Sequence, residues 1–525
     1  MPEGKLSYND RFGISDPNAI LFVDETGPWE DGKGDLVPTL KKLADFYAEY
    51  QDKSGKRKPE PLRKPEPLIL RAAAGDCIQV TLKNNLDGLD VFSPQPSSGD
   101  LDKREEKGKT FMMPDGPNDK QNKNGSWSFN MLPPIMEAFN FNQVRMSNRV
   151  SLHPQLLAAI VKHNDGANVG FNQDMTVGPG EEAVIYTWYA GDDNYDPETG
   201  QRLSPIEFGI TALRDMGDVI NHTSHGAIGA LIVEPEGSNW GKDCGENASP
   251  KFTQTQAMRD ICVKNEKTGK NDVLFREFVL LYQDDLSLVQ GWEPTTHNGK
   301  STGEGTGDAM ANLRNGDDSE DSGQKAFNYR TEPIWARLDA GGPGTGPEAM
   351  SRYDFSKAFS SKLDANGKCE FDGVTDPKED LAVGCDPYTP LFTAKAGTPI
   401  RFRVVHPGGH PRNHGFTLFG HNWQSLPWTR DSTVIGDNPN SDVVGSASGI
   451  GPARHVNIVT KAGGEFAVPG DYLYRTQDGF MFGGGLWGIL RVVECKPGDQ
   501  SCLKKQSGTP KQRPVQKQSK TKAAN

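Results

Sequence analysis

Apolar residues in this chain fall in short runs and alternations, without the long 3.6-residue stripes of helices. The segment EPLILRAAAGDCIQVTLKNNL (66–86) reads as an apolar strand, a turn at Gly75, and a second strand alternating through Ile78, Val80 and Leu82. TPLFTAKAGTPIRFRVVHPG (389–408) repeats that design, with Gly397 at the turn and Ile400, Phe402 and Val404 alternating. Each copy is followed far downstream by a Gly-rich turn and an apolar strand, GAIGALIVEP (226–235) and GLWGILRVVE (485–494). FREFVLLYQ (275–283) predicts a buried strand opening the second copy. The spacing is too long for a solenoid. It predicts an all-β chain of two tandem Greek-key sandwiches, with Trp188, Trp335 and Trp487 as buried anchors. The expected boundaries are 1–237 for the first sandwich, with an insertion at about 87–125, and 273–495 for the second. A polar linker is expected at 238–272, a second surface insertion at 297–324, and a disordered basic tail at 496–525.

Composition supports this class. The 525 residues include 59 Gly and 37 Pro, with 34% hydrophobic residues, which suits sandwiches joined by loops better than helix bundles. A net charge of −12 argues against nucleic acid as a partner. No apolar run reaches the roughly 18 residues of a membrane-spanning helix. The opening MPEGKLSYNDRFG lacks the apolar core of a secretory signal, so the expectation is a cytosolic chain, or a mature or partial one. Seven cysteines leave at least one thiol unpaired; Cys369 with Cys385 and Cys495 with Cys502 are spaced to close small loops. None has zinc-type Cys spacing.

Four segments carry a family resemblance. RVSLHPQLL (149–157), followed by DGANVGFNQDMTVGPGEEAVIYTWYAG, resembles the first copper segment of a multicopper oxidase, an H-x-H pair followed by a P-G-x-x-x-x-Y-x-W strand. GDVINHTSHGAIGALIVEPEGS resembles the segment with the second H-x-H pair. HGFTLFGHNW (414–423) aligns with H-P-x-H-L-H-G-H, and GDYLYRTQDGFMFGGGLWGILRV (470–492) with the closing pattern G-x-W-x-x-H-C-H-x-x-x-H-x-x-x-G-M. With EDSGQKAFNYRTEPIW and RVVHPGGHPRNHGF, the set is most similar to the C-terminal cupredoxin pair of the large bacterial multicopper oxidases, the manganese-oxidising type among them. The resemblance implies cupredoxin-like sandwiches, copper as cofactor and oxidoreductase chemistry, usually in an exported protein.

The resemblance also implies where ligands belong, and most are missing. The four H-x-H pairs that hold the trinuclear copper cluster map to His153 and Gln155; to His222 and Ser224, or by one place to Thr223 and His225; to Thr417 and Phe419; and to Arg475 and Gln477. The electron-entry copper ligands map to His414, Thr476, Met481 and Leu486. Loss of the thiolate removes the bond that gives that site its electron-transfer character. By ligand count the chain alone does not run oxygen reduction.

The remaining candidates are histidines. His406, His410 and His414 lie on a strand end and loop, where Pro407, Gly408, Gly409 and Pro411 forbid a helix, and His421 follows nearby. These four could hold one copper or zinc, and His222 and His225 could hold another with His153 as third ligand; in both cases hydrogen bonding to the backbone is the competing expectation. The acidic cluster Asp317, Asp318, Glu320 and Asp321 lacks the spacing of a calcium loop. Two functions are expected. One is a structural or subunit part of a copper oxidase assembly, whose coppers reside on another multicopper oxidase chain or domain. The other is a copper-binding oxidoreductase that oxidises a metal ion or small reductant through a non-standard histidine site.

Overall fold

A computed structural model describes residues 6–9, 14–16, 19–24, 65–86, 147–191, 205–219, 221–241, 244, 254–286, 288–290, 308–309, 324–337, 355–361, 386–409, 413–428, 434–436 and 438–494. Among these, strands dominate. The α-helices are single turns, Val161–Asn164, Asn221–Ser224, Ile334–Arg337 and Gly479–Gly483, joined by a 3-10 turn at Phe355–Lys357.

The second module is a two-sheet sandwich. One sheet runs His455–Lys461, Pro399–Val405, Asn271–Leu286, Met258–Lys264, Ser238–Asn239. The facing sheet runs Leu391–Lys395, Trp487–Val493, Gly470–Arg475, His414–Leu418, Ser446–Ile450. The first module places Leu68–Ala73, Ile228–Glu234, Gly209–Arg214 and His153–Pro154 in one sheet, and Cys77–Leu82 with Val184–Tyr189 in the other. In both modules the opening strand pairs in parallel with the closing strand: Leu68 opposite Gly229, and Leu391 opposite Ile489. Those are the strands that the sequence pairs as the start and end of each copy. The expectation of an all-β chain built from two sandwiches holds.

Period-2 alternation explains the packing. Ile400, Phe402 and Val404 point inward with Phe278, Phe392, Phe416 and Tyr474, and Phe278 lies 5.0 Å from Phe392, ring centre to ring centre. Each such ring contributes about 1.5–3 kcal/mol on burial. In the first module Tyr186 and Trp188 stack at 5.5 Å above Leu213, Leu231 and Val233. Trp188 and Trp487 are fully buried, and their indole N–H groups donate to the carbonyls of Asn164 and Glu332. The side chain of Trp335 lies outside the described residues.

The strand Ile228–Glu234 is buried along its whole length because its two faces serve two cores. Leu231 and Val233 join Trp188, whereas Ile228, Ala230 and Ile232 join the core that contains Phe278 and Phe402. The modules therefore pack sheet against sheet. Charges are buried there. Arg403 donates to Glu277 (2.9 Å), Glu234 (2.8 Å) and Asn457 (2.8 Å), and Arg71 forks onto Glu277 at 3.0 and 2.8 Å. Burial pushes the Glu277 carboxyl up, but Arg71 and Arg403 overcome it and hold it at about 2. Burial, and then the charge of Glu277, raise Glu234.

Two boundary expectations change. The segment 238–272, expected as a linker, supplies Ser238–Asn239 and Met258–Lys264 to the second module's sheet, and a Cys244–Cys262 disulfide staples it. Its MRDICVK run alternates just enough to pair along Asn271–Leu286. The N-terminal strands Leu6–Asn9 and Ile14–Asp16, expected in the first module, pair with each other, Ile14–Asp16 pairs in turn with Val289–Gln290, and Leu6, Tyr8 and Ile14 are buried in the core shared with the second. Cys77 is a free, exposed thiol. Cys369, Cys385, Cys495 and Cys502, the insertion at 87–125, the tail and most of 297–324 lie outside the described residues.

Candidate metal centre

The positions of the third and fourth H-x-H pairs do meet in space. Thr417 and Arg475 are direct cross-strand partners. The Gln477 amide donates to the Thr417 hydroxyl. The Arg475 guanidinium lies 4.5 Å from the Phe482 ring centre and 5.9 Å from that of Phe419. The four positions where the sequence resemblance expects imidazoles hold a hydroxyl, an amide, a ring and a fixed cation that bind one another.

The residues that the resemblance maps to the electron-entry copper are held in the same way. Thr476 is buried; its hydroxyl accepts from Gly415 N–H (3.3 Å) and donates to Asp478 (3.3 Å). Met481 and Leu486 are buried too, and backbone bonds tie them to the loop: Leu486 N–H to Met481 O at 3.2 Å, and Thr476 N–H to Leu486 O at 3.1 Å.

The candidate histidines divide by what their ring nitrogens do. His222 is fully buried, with Nδ1 2.8 Å from Asp215 Oδ2 and Nε2 2.6 Å from Ser147 O. Both partners are acceptors, so both nitrogens carry protons and the ring is an imidazolium. Burial opposes that charge, yet Asp215 outweighs it and raises the His222 pKa. His421 Nε2 accepts from Gly463 N–H and Gly464 N–H, each at 3.1 Å, so its Nδ1–H donates to Phe419 O at 2.9 Å. Burial lowers its pKa, in keeping with a neutral ring. His225 Nδ1 binds Asp16 at 3.0 Å, and His153 Nδ1 donates to Asp165 O. His410 lies outside the described residues.

His406 and His414 are different. His406 directly follows the strand Pro399–Val405 in one sheet, and His414 begins His414–Leu418 in the other, so the loop between them crosses from sheet to sheet. Asp284 sits near the end of Asn271–Leu286, which pairs with Pro399–Val405 in parallel. The three ligand atoms lie within 4.8 Å of one another, the one such group among the described residues. All three side chains are buried. Gly409 lets the crossover pass this close: its φ is +111°, and a Cβ there would meet Asp284 O at 3.3 Å.

Tyr282 lies face to face with His414 at 4.9 Å and with His406 at 6.2 Å, its hydroxyl donating to Gly415 O. Lys325 Nζ reaches Asp284 Oδ1 at 2.7 Å, and His414 Nε2 stands 3.1 Å from Oδ2. Burial raises Asp284, but His414 and Lys325 more than offset it and hold the carboxylate ionised. Burial, then the neighbouring His414 and Arg214, pull His406 down to about 4, so it is neutral at physiological pH. Sequence reasoning named both histidines and missed Asp284, whose visible signal is the Asp pair that ends the apolar run FREFVLLYQDD.

No family model matches the sequence, and no curated protein matches it. Among solved structures the chain is similar to "Crystal structure of multicopper oxidase", at a TM-score of 0.31 and 11% identity over 66% of this chain and 71% of that one. It is likewise similar to the blue copper oxidase from Nitrosomonas europaea (TM-score 0.31, 13% identity, 66% and 70% covered). A third is the multicopper oxidase mgLAC (TM-score 0.31, 11% identity, 67% and 73% covered).

Proposed function

We propose that the chain is a multicopper oxidase-like cupredoxin protein that serves as a structural or subunit part of a copper oxidase assembly, with the reactive coppers on another chain or domain. One observation carries this reading. Where the resemblance calls for copper ligands, Thr417, Phe419, Arg475, Gln477 and Thr476 satisfy one another and the backbone. This donor set does not fit the family's coppers. It has no thiolate for the electron-entry site, and Arg475 is a permanent cation beside the trinuclear position. No oxygen-reducing step is therefore assigned to this chain. The sheet-on-sheet packing of the modules and the buried Arg–Glu network suit a rigid building block.

The test is to load the purified chain with copper and record its visible spectrum and its oxygen uptake with a small reductant. The reading expects neither a blue thiolate-to-copper band nor turnover. An intense blue band with oxygen consumption would overturn it.

A further inference from the structure

We propose that Asp284, His406 and His414 form a mononuclear site for one divalent ion of the Zn²⁺ class, bridging the two sheets of the second module. The inference does not depend on the scaffold reading, since its ligand set shares only His414 with the electron-entry position and involves no redox chemistry.

The first argument is unmet polarity. Both ring nitrogens of His406 and Nδ1 of His414 are buried without a hydrogen-bond partner. His414 Nε2 has only a charge contact with Asp284 Oδ2. Leaving a buried polar nitrogen unsatisfied costs about 1–3 kcal/mol, so two such rings side by side are expensive. The stack with Tyr282 accounts for the ring faces but gives the His406 nitrogens and His414 Nδ1 no partner.

The second argument is the donor set. Two imidazoles and one carboxylate, with no thiolate, suit a borderline divalent ion that takes three protein ligands. Ligand atoms about 2.0–2.2 Å from a tetrahedral ion stand roughly 3.3 Å apart. Starting from atoms within 4.8 Å of one another, small side-chain rotations close the site. The Gly408–Gly409 pair gives the crossover the backbone freedom to follow, with φ of +153° and +111°.

The third argument is topological. Asp284 and His406 come from one sheet and His414 from the other, so an ion here would tie the sandwich at the end where the crossover loop passes between sheets. Burial of all three ligands points to a structural ion taken up on folding, not to a substrate-accessible one. Lys325 is the competing cation: its ammonium already holds Asp284 Oδ1, and an incoming ion must share that carboxylate with it.

The probe is Co²⁺, with Zn²⁺ as competitor, on the full chain refolded with and without metal. The expected result is one Co²⁺ per chain, displaced by Zn²⁺, with X-ray absorption showing two imidazole nitrogens. K325M should bind at least tenfold more tightly, because a neighbouring positive charge is gone, and H406Q at least tenfold more weakly. Should H406Q fail to fold, the ligand count of the wild-type chain and the K325M titration decide. No bound Co²⁺, a site without two imidazoles, or an affinity unchanged in K325M would overturn the proposal.

Discussion

Replacing Arg403 with Met removes the centre of the charge network between the modules. The Arg403 side chain is fully buried and makes three hydrogen bonds, to Glu277, Glu234 and Asn457. Charge-assisted bonds contribute roughly 1.5–3 kcal/mol each, but removing the guanidinium also removes its own desolvation cost. What remains is Glu277 with Arg71 as its cation and Glu234 without its guanidinium partner, and breaking such a buried pair costs about 3–5 kcal/mol. Urea unfolding of R403M at pH 7, followed by tryptophan fluorescence, should show that loss. Acid supplies a second arm. Against the upward pull of its burial, Arg71 and Arg403 hold the Glu277 carboxyl at about 2, below its ordinary value of 4.5. A depressed carboxyl stabilises above its unfolded value, and that contribution is lost as pH falls through the folded one. Glu234, raised by burial and by Glu277, has the opposite sign: its contribution is present at low pH and is lost as pH rises through its folded value. Without Arg403 the Glu277 carboxyl takes up a proton more readily, so the gap between R403M and wild type should be widest near pH 7 and narrow below pH ~4. A loss under about 1 kcal/mol at pH 7, or a gap that widens in acid, would refute the reasoning.

Gly209, at φ +68°, faces the same network, and a Cβ there would lie 2.2 Å from Asn457 Oδ1. G209A should therefore lose about 2 kcal/mol or more in the same unfolding assay, from left-handed backbone strain and the displaced amide, and a neutral result would contradict the close approach. The double variant C244S/C262S opens a loop of sequence separation 18 and should cost about 3 kcal/mol, whereas C77S, at an exposed thiol, should unfold at the wild-type midpoint. His222 has a raised pKa, so its pairing with Asp215 stabilises fully below the unfolded value of about 6.5 and is lost as pH rises through the folded value. H222Q should therefore fall furthest below wild type in acid and approach it in alkali, as followed by thermal unfolding across that range.

The strands were legible because alternation reports directly which face is buried. Ile400, Phe402 and Val404 were legible on that ground, as were the opening and closing strands that turned out to be parallel neighbours. The charge network was not. Arg71, Glu277 and Arg403 stand on three strands far apart in sequence, and on a single strand each looks like a solvent-facing position. Only the parallel register of Asn271–Leu286 with Pro399–Val405, and the docking of Ile228–Glu234 beside it, reveal that both faces are covered. The disulfide was missed because the polar segment 238–272 hides one short pairing strand. In the candidate centre, His406 and His414 were visible as residues, but their convergence depends on an inter-sheet crossover. Asp284 reads as the polar end of an apolar run until its strand is placed beside His406.

The most direct test of the scaffold reading is a copper-edge anomalous difference map from crystals of the copper-loaded chain. The account predicts no peak beside Thr476 and Met481, and none among Thr417, Phe419, Arg475 and Gln477, where side chains already satisfy one another. Copper at either place would contradict it.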